Sequence, residues 1–98
     1  MEKRIAHYHL STVKALVEGG NVRATVSALS GGAALGFDFA GILGVVSALT
    51  VEDFHKSMTT LADHRVWQDV YQVSTGAGDV YVKLTVVNEL VIVSFKEL

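Results

Sequence analysis

No cysteine occurs among the 98 residues. Its absence excludes a disulfide framework, a thiolate metal site and a thiol nucleophile, so any chemistry must use other groups, and a reducing compartment suits the chain. Charge is also scarce, since 18% of the residues are Asp, Glu, Lys or Arg and the formal net charge is −2. That balance offers nucleic acid no bulk attraction, so an RNA site would have to be a local patch. The opening run Met1-Glu2-Lys3-Arg4-Ile5-Ala6-His7 is basic but leads into no continuous apolar stretch. It does not read as a secretory signal, and the expected location is cytoplasmic. One stretch, Ala24 to Val51, has Asp38 as its only charged side chain and is long enough to cross a bilayer. A charge near the middle of a span costs on the order of 2.5 to 3.5 kcal/mol, and Gly31, Gly32, Gly36, Gly41 and Gly44 interrupt a helical run. Two buried helices, with no membrane involved, are the better expectation.

Half of the residues are apolar, enough for a packed core, whereas a second core would need roughly 50 more residues. The chain is expected to be one domain, residues 1–98. Leu10, Val13, Leu16 and Val17 recur at helical spacing, with Ser11 as a candidate cap and Gly19-Gly20 as the stop. A short extended piece around Asn21 to Ala24 precedes a second helix from about Thr25 to Leu35, ended by Gly36. Asp38 is placed to cap a third, Phe39 to about Leu49, in which Phe39, Ile42, Leu43, Val46 and Leu49 share a face and Gly41 and Gly44 permit close packing. After a turn at Thr50 to Asp53 the period changes to two, predicting strands over Phe54–Thr60, Val66–Val73, Val80–Val87 and Leu90–Lys96. Helices first and a meander afterwards define an α+β domain, an antiparallel sheet of about four main strands with the amino-terminal helices on one face.

A two-residue connection at Asn88-Glu89 predicts the register of the last hairpin. Val82 then opposes Phe95, Leu84 opposes Val93 and Val86 opposes Val91, an apolar face for the helices. The other face pairs Tyr81 with Lys96, Lys83 with Ser94 and Thr85 with Ile92. Closing the preceding hairpin through Leu61 to Arg65 sets Met58, which shares its face with Lys56, opposite Gln68. Lys, Tyr and Gln can supply what RNA cleavage without a metal needs: cations where phosphorane charge develops, proton transfer at two oxygens, and a 2′-hydroxyl aimed in line at phosphorus. Lys56 and Lys96 can neutralise charge, a Lys beside another cation can serve as base, Tyr81 can orient or exchange a proton, and Gln68 can hold phosphate or ribose. Met58, Lys83 and Tyr71 are candidates to contact substrate. A Lys on a polar strand face is more often merely solvated, and Met58, Trp67 and Tyr71 more often pack than bind.

Other constellations carry less. His7-x-His9 has a strand-like spacing that could offer two ring nitrogens to a metal, but His55 and His64 are scattered, and no HExxH, carboxylate pair or Ser/His/Asp order supports protease or glycosidase chemistry. Gly31-Gly32 lacks the strand, Lys and helix entry of a phosphate loop. Gly76-Ala77-Gly78-Asp79 reads as a hairpin turn. No metal or other cofactor is expected.

The run Asp53-Phe54-His55-Lys56-Ser57-Met58-Thr59-Thr60, then Asp63-His64 and Trp67-Gln68-Asp69-Val70-Tyr71, resembles the MqsR (motility quorum-sensing regulator) family of toxins. Met1-Glu2-Lys3-Arg4, Leu35-Gly36-Phe37-Asp38-Phe39, Val80-Tyr81-Val82-Lys83 and Leu90 to Glu97 are similar to that family in order and spacing; the Ala/Gly-rich stretch is the weakest match. The resemblance implies a fold like the RelE and YoeB toxins, and an endoribonuclease that cuts single-stranded messenger RNA at GC-containing triplets without a metal. It also implies Lys56, Gln68, Tyr81 and Lys96 as functional residues, with Met58 beside them. The implied partner is an antitoxin with a zinc-binding domain and a helix-turn-helix domain, through which alone the toxin would meet DNA. The chain is less basic than the family pattern, notably over Gln72-Val73-Ser74-Thr75 and at Leu98, which predicts weaker RNA affinity and a shallower salt slope. The competing expectations are a weakly active binding module acting as co-repressor through its antitoxin, and a purely structural interaction domain.

Overall fold

The computed structural model describes every residue from Met1 to Leu98. Strand β1 is Glu2–Lys3 and strand β2 is Val22–Ala24, with helix α1, Leu10–Glu18, between them. Helices α2, Val26–Ala34, and α3, Phe39–Ser47, follow, and then strands β3, Phe54–Thr59, β4, Trp67–Thr75, β5, Gly78–Val87, and β6, Glu89–Glu97. The strands form one sheet in the order β1-β3-β4-β5-β6-β2, antiparallel throughout except that β2 runs parallel to β6. The expected α+β layout therefore holds, with β1 and β2 added at the two edges of the four-stranded meander.

Local chemistry accounts for most helix ends. Thr25 caps α2 by accepting from the Ala28 amide at 3.1 Å, and Asp38 caps α3 by accepting from the Gly41 amide at 2.8 Å. The cap of α1 is His9, without a side-chain hydrogen bond, so Ser11 lies inside the helix rather than at its start. Gly20 and Gly36 stop α1 and α2 at φ of 74° and 86°, a conformation open to glycine at little cost. Thr50 and Asp53 form a reciprocal capping box over a single 3-10 turn that leads into β3.

The apolar stretch from Ala24 to Val51 folds as two helices bent by 91°, and no single helix is long and apolar enough to cross a membrane. Ala28 of α2 and Ile42 and Val46 of α3 are fully buried, in one cluster with Val13, Tyr71, Val80, Val82, Leu84, Leu90, Ile92 and Phe95. Phe39, expected on the buried face of α3, is exposed instead. Gly31 explains how closely α2 approaches the sheet: a Cβ there would lie 1.9 Å from the Phe95 carbonyl oxygen. Gly32 likewise makes room for Ile42, whose Cδ1 would be 2.5 Å away, and Gly41 for Phe37. Gly44 meets nothing within 4 Å, so it does not mediate close packing.

The last hairpin follows the predicted register only in part. Tyr81–Lys96, Val82–Phe95 and Lys83–Ser94 pair as expected, but Leu84 opposes Ile92, Thr85 opposes Val91 and Val86 opposes Leu90. The connection turns on Asn88 alone, at φ 64°, a left-handed conformation that Asn tolerates better than most residues. A β-bulge then absorbs Val93 as an extra residue and restores the predicted pairing beyond it. Both Ile92 and Phe95 thereby point into the core.

Candidate functional site on the open face of the sheet

Alternation along four strands assembles the site. Met58 opposes Gln68; Lys56, Val70, Lys83 and Ser94 form a row across β3 to β6; and Gln72, Tyr81 and Lys96 form the next row. These residues face away from the helices, because their neighbours along each strand, Tyr71, Val80, Val82 and Phe95, are the ones in the core. Val70 is fully buried in the middle of this bare face, so the surrounding side chains close over it.

Three lysines converge on one tyrosine. The Lys96 Nζ lies 5.1 Å from the centre of the Tyr81 ring and the Lys83 Nζ 5.9 Å from it, both within cation–π range. Burial pushes the Tyr81 phenol above its ordinary pKa, and the nearby Lys56 charge partly opposes that shift. Lys83 is driven the other way: burial, then the charges of Lys96 and Lys56, lower its pKa. Lys56 alone of the three has a carboxylate partner, Glu2 Oε1 at 2.8 Å, and the Lys56 hydrogen bond and charge lower the pKa of Glu2.

Glu2 reaches Lys56 because β1 pairs with β3, setting Glu2 opposite Met58. The terminal ammonium of Met1 donates to the Thr59 hydroxyl at 3.2 Å, and the Met1 carbonyl accepts from the Thr59 amide at 3.0 Å. Behind the strand, the buried Asp69 carboxylate accepts from the His7 and Tyr8 amides at 3.0 and 2.9 Å. Asp69 thus ties down the segment between β1 and α1, a role that sequence periodicity does not signal. A groove of about 530 Å³ opens beside the lysine cluster, lined by Met1, Glu2, Met58, Gln68, Lys83 and the turn after β3. A larger groove of about 610 Å³, on the helix side between α3 and the β4–β5 turn, has no titratable group in its walls.

The open face gathers Lys56, Gln68, Tyr81 and Lys96, together with Met58 and Lys83. Tyr71 does not join them. It opposes Val82 and is 2% exposed on the helix side, packed edge-to-face on Phe54, so the expectation that it touches substrate is corrected: strand parity turns it the opposite way from Gln72. The His7-x-His9 pair lies outside any strand. The His7 ring stacks on Trp67 at 5.3 Å and its Nδ1 meets the Lys3 Nζ at 2.9 Å. No three His, Asp or Glu side chains converge as metal ligands. The residue that sequence reasoning missed is Glu2, since a two-residue strand carries no periodicity to announce its pairing.

A helix-backed sheet that presents lysines, a tyrosine and a glutamine on its bare face, in a chain of net charge −2, defines a small α+β protein with one local cationic patch. The chain belongs to the MqsR toxin family. Residues 5–97 match the family described as motility quorum-sensing regulator, toxin of MqsA. It is 53% identical over 97 residues to the mRNA interferase toxin MqsR of Escherichia coli (strain K12), an alignment covering 99% of both chains.

Proposed function

We propose that this chain is an mRNA interferase, a metal-independent endoribonuclease that cuts single-stranded messenger RNA at short GC-containing sequences in the cytoplasm. The observation that carries the reading is the convergence of Lys56, Lys83 and Lys96 around Tyr81, beside Gln68, on the face the helices leave bare. The name of the Escherichia coli relative supports it. Lys56 and Lys96 hold the scissile phosphate and neutralise the charge that grows on its oxygens in the transition state. Gln68 positions ribose or phosphate through uncharged hydrogen bonds, and Met58 packs against a base from the groove. Tyr81, whose phenol burial pushes above its ordinary pKa, donates its phenolic proton to the departing 5′-oxygen. Attack by the 2′-oxygen leaves a cyclic 2′,3′-phosphate and a 5′-hydroxyl. The partner is the zinc-binding, helix-turn-helix antitoxin of the pair, and DNA is met only through it.

The test is purified protein with excess chelator and a defined transcript. Cleavage ending in cyclic phosphates is expected, with its loss in a Lys56→Ala/Tyr81→Phe double variant and growth arrest when the chain is expressed without an antitoxin. Intact transcript with the wild type, or undiminished cutting by the double variant, sinks the reading.

A further inference from the structure

The three lysines are not equivalent. Lys56 has its own carboxylate at 2.8 Å, and Lys96 is an exposed residue over the Tyr81 ring. Lys83 has no acidic partner, and it sits on a central strand between Val70 and Ser94, with Lys56 beyond Val70 in the same row. It also stands at a junction, because it lines the groove with Met58 and Gln68 and lies within reach of the Tyr81 ring. A nucleotide whose base lies in the groove and whose phosphate lies among the cations must pass its ribose beside Lys83. Glu2 also borders the groove, but its carboxylate is committed to Lys56 and repels phosphate.

We propose that Lys83 is the general base of the cleavage reaction, taking the proton from the ribose 2′-hydroxyl, an assignment that rests on the nuclease reading given above. The neutral Lys83 amine accepts that proton as the 2′-oxygen bonds to phosphorus; the bond from phosphorus to the 5′-oxygen breaks; and the 5′-oxygen takes a proton from Tyr81. Lys83 ends as ammonium and Tyr81 as phenolate, and proton exchange with solvent resets both, so no oxidant, metal or co-substrate is consumed. The surroundings favour the neutral amine. The groups facing Lys83 are Lys56 on β3, Lys96 on β6 and Tyr81 on its own strand, with Glu2 and the Met1 ammonium across the groove. Burial and the two ammonium charges both push its pKa below that of an ordinary lysine. The adjacent strand β4 contributes Gln68, Val70, Gln72 and Ser74 to this face, none of which titrates.

Lys83→Arg keeps the positive charge but cannot give up a proton at working pH. It is expected to bind an RNA with 2′-deoxyribose at the cleavage site within about threefold of wild type, while cutting the all-ribose RNA at least about 100-fold more slowly. The wild-type rate should rise with pH and level off below the ordinary lysine value of about 10.4, and that limb should vanish in Lys83→Arg. Lys83→Ala should recover activity with added ethylamine and not with guanidinium. A Lys83→Arg enzyme cutting within about threefold of wild type overturns the assignment, as does Lys83→Ala that ethylamine leaves inert. In either case wild-type cleavage leaves the nuclease reading standing; a wild type that cuts no RNA brings down both.

Discussion

The two faces of the sheet are built from the same strands, and they obey different rules. Toward the helices, Val80, Val82, Leu84, Ile92 and Phe95 are sealed into one cluster with side chains from all three helices. Away from them, Tyr81, Lys83 and Lys96 alternate with those same residues, and two of the three have displaced pKa values while remaining open to solvent. One peptide bond separates Phe95 from Lys96, and it divides stability from chemistry. The lesson is that the open face can be cationic because the core face already supplies the burial that holds the strands.

Substitutions at those two neighbours break the comparison most directly. Phe95→Ala should cost about 3 to 5 kcal/mol of unfolding free energy, enough to threaten the fold, and abolish activity only through unfolding. Lys96→Ala should leave the denaturation midpoint almost unchanged, within about 0.5 kcal/mol, while slowing cleavage by about 100-fold. Urea titration and single-turnover cutting on the same preparations check both. Equal stability losses at the two positions would erase the distinction between the faces.

Gly31 sharpens the picture, because it is where α2 presses against the backbone of β6. Gly31→Ala puts a methyl group 1.9 Å from the Phe95 carbonyl oxygen, so helix or strand must move. We expect a loss of about 1 to 3 kcal/mol, and reduced activity because Lys96 is the next residue along. Calorimetry showing an unchanged or raised melting temperature would mean that α2 does not pack this tightly. Asp69→Asn comes next in size, since one of the two amides held by the carboxylate then faces an NH2 donor and loses its acceptor, at about 1 to 2 kcal/mol. Hydrogen exchange should speed at the His7 and Tyr8 amides first, with β1 and its Glu2–Lys56 contact loosening behind them.

The open face was legible in the sequence because period-two alternation groups its residues on β3, β4 and β5, although on β6 it fails across the bulge, where Ile92, expected beside Ser94 and Lys96, lies in the core. The register at Tyr81–Lys96 came out right for a partly accidental reason. The turn on Asn88 shifts the pairing by one residue, and the bulge at Val93 shifts it back before the site is reached. Between those points the predicted partners of Leu84, Thr85 and Val86 were wrong by one. Buried polar anchors and close approaches were not legible at all. Asp69 sits in a strand pattern where a carboxylate looks like a solvent-facing residue, and Gly31 looks like a weak point in a helix rather than a contact with β6. Glu2 reaches Lys56 across 54 residues of chain, through a strand too short to show periodicity. Tyr71 was placed with the substrate contacts on residue type, although its odd position on β4 puts it with the core.

Tyr71 and Tyr81 also let the two faces be compared through one phenol on each, Tyr71 in the core and Tyr81 on the open face, with the aliphatic core and the lysines left intact. Both phenols are raised by burial, but Tyr71 has the Asp69 and Asp53 charges adding to the effect and reaches about 12, whereas Lys56 opposes the shift at Tyr81. Phenolate absorbance should therefore show a late step near 12 that disappears in Tyr71→Phe and persists in Tyr81→Phe. The sign of the linked stability follows. A folded-state pKa of about 12 against an ordinary tyrosine value of about 10 means that this contribution is complete below the lower value and is lost as pH climbs through the higher one. Tyr71→Phe should thus change neutral-pH stability by no more than about 0.5 kcal/mol, yet resist alkaline unfolding better than wild type. If Tyr71→Phe removed an early phenolate step instead, Tyr71 would be the solvated phenol, and the division between a sealed face and an open one would not hold at β4.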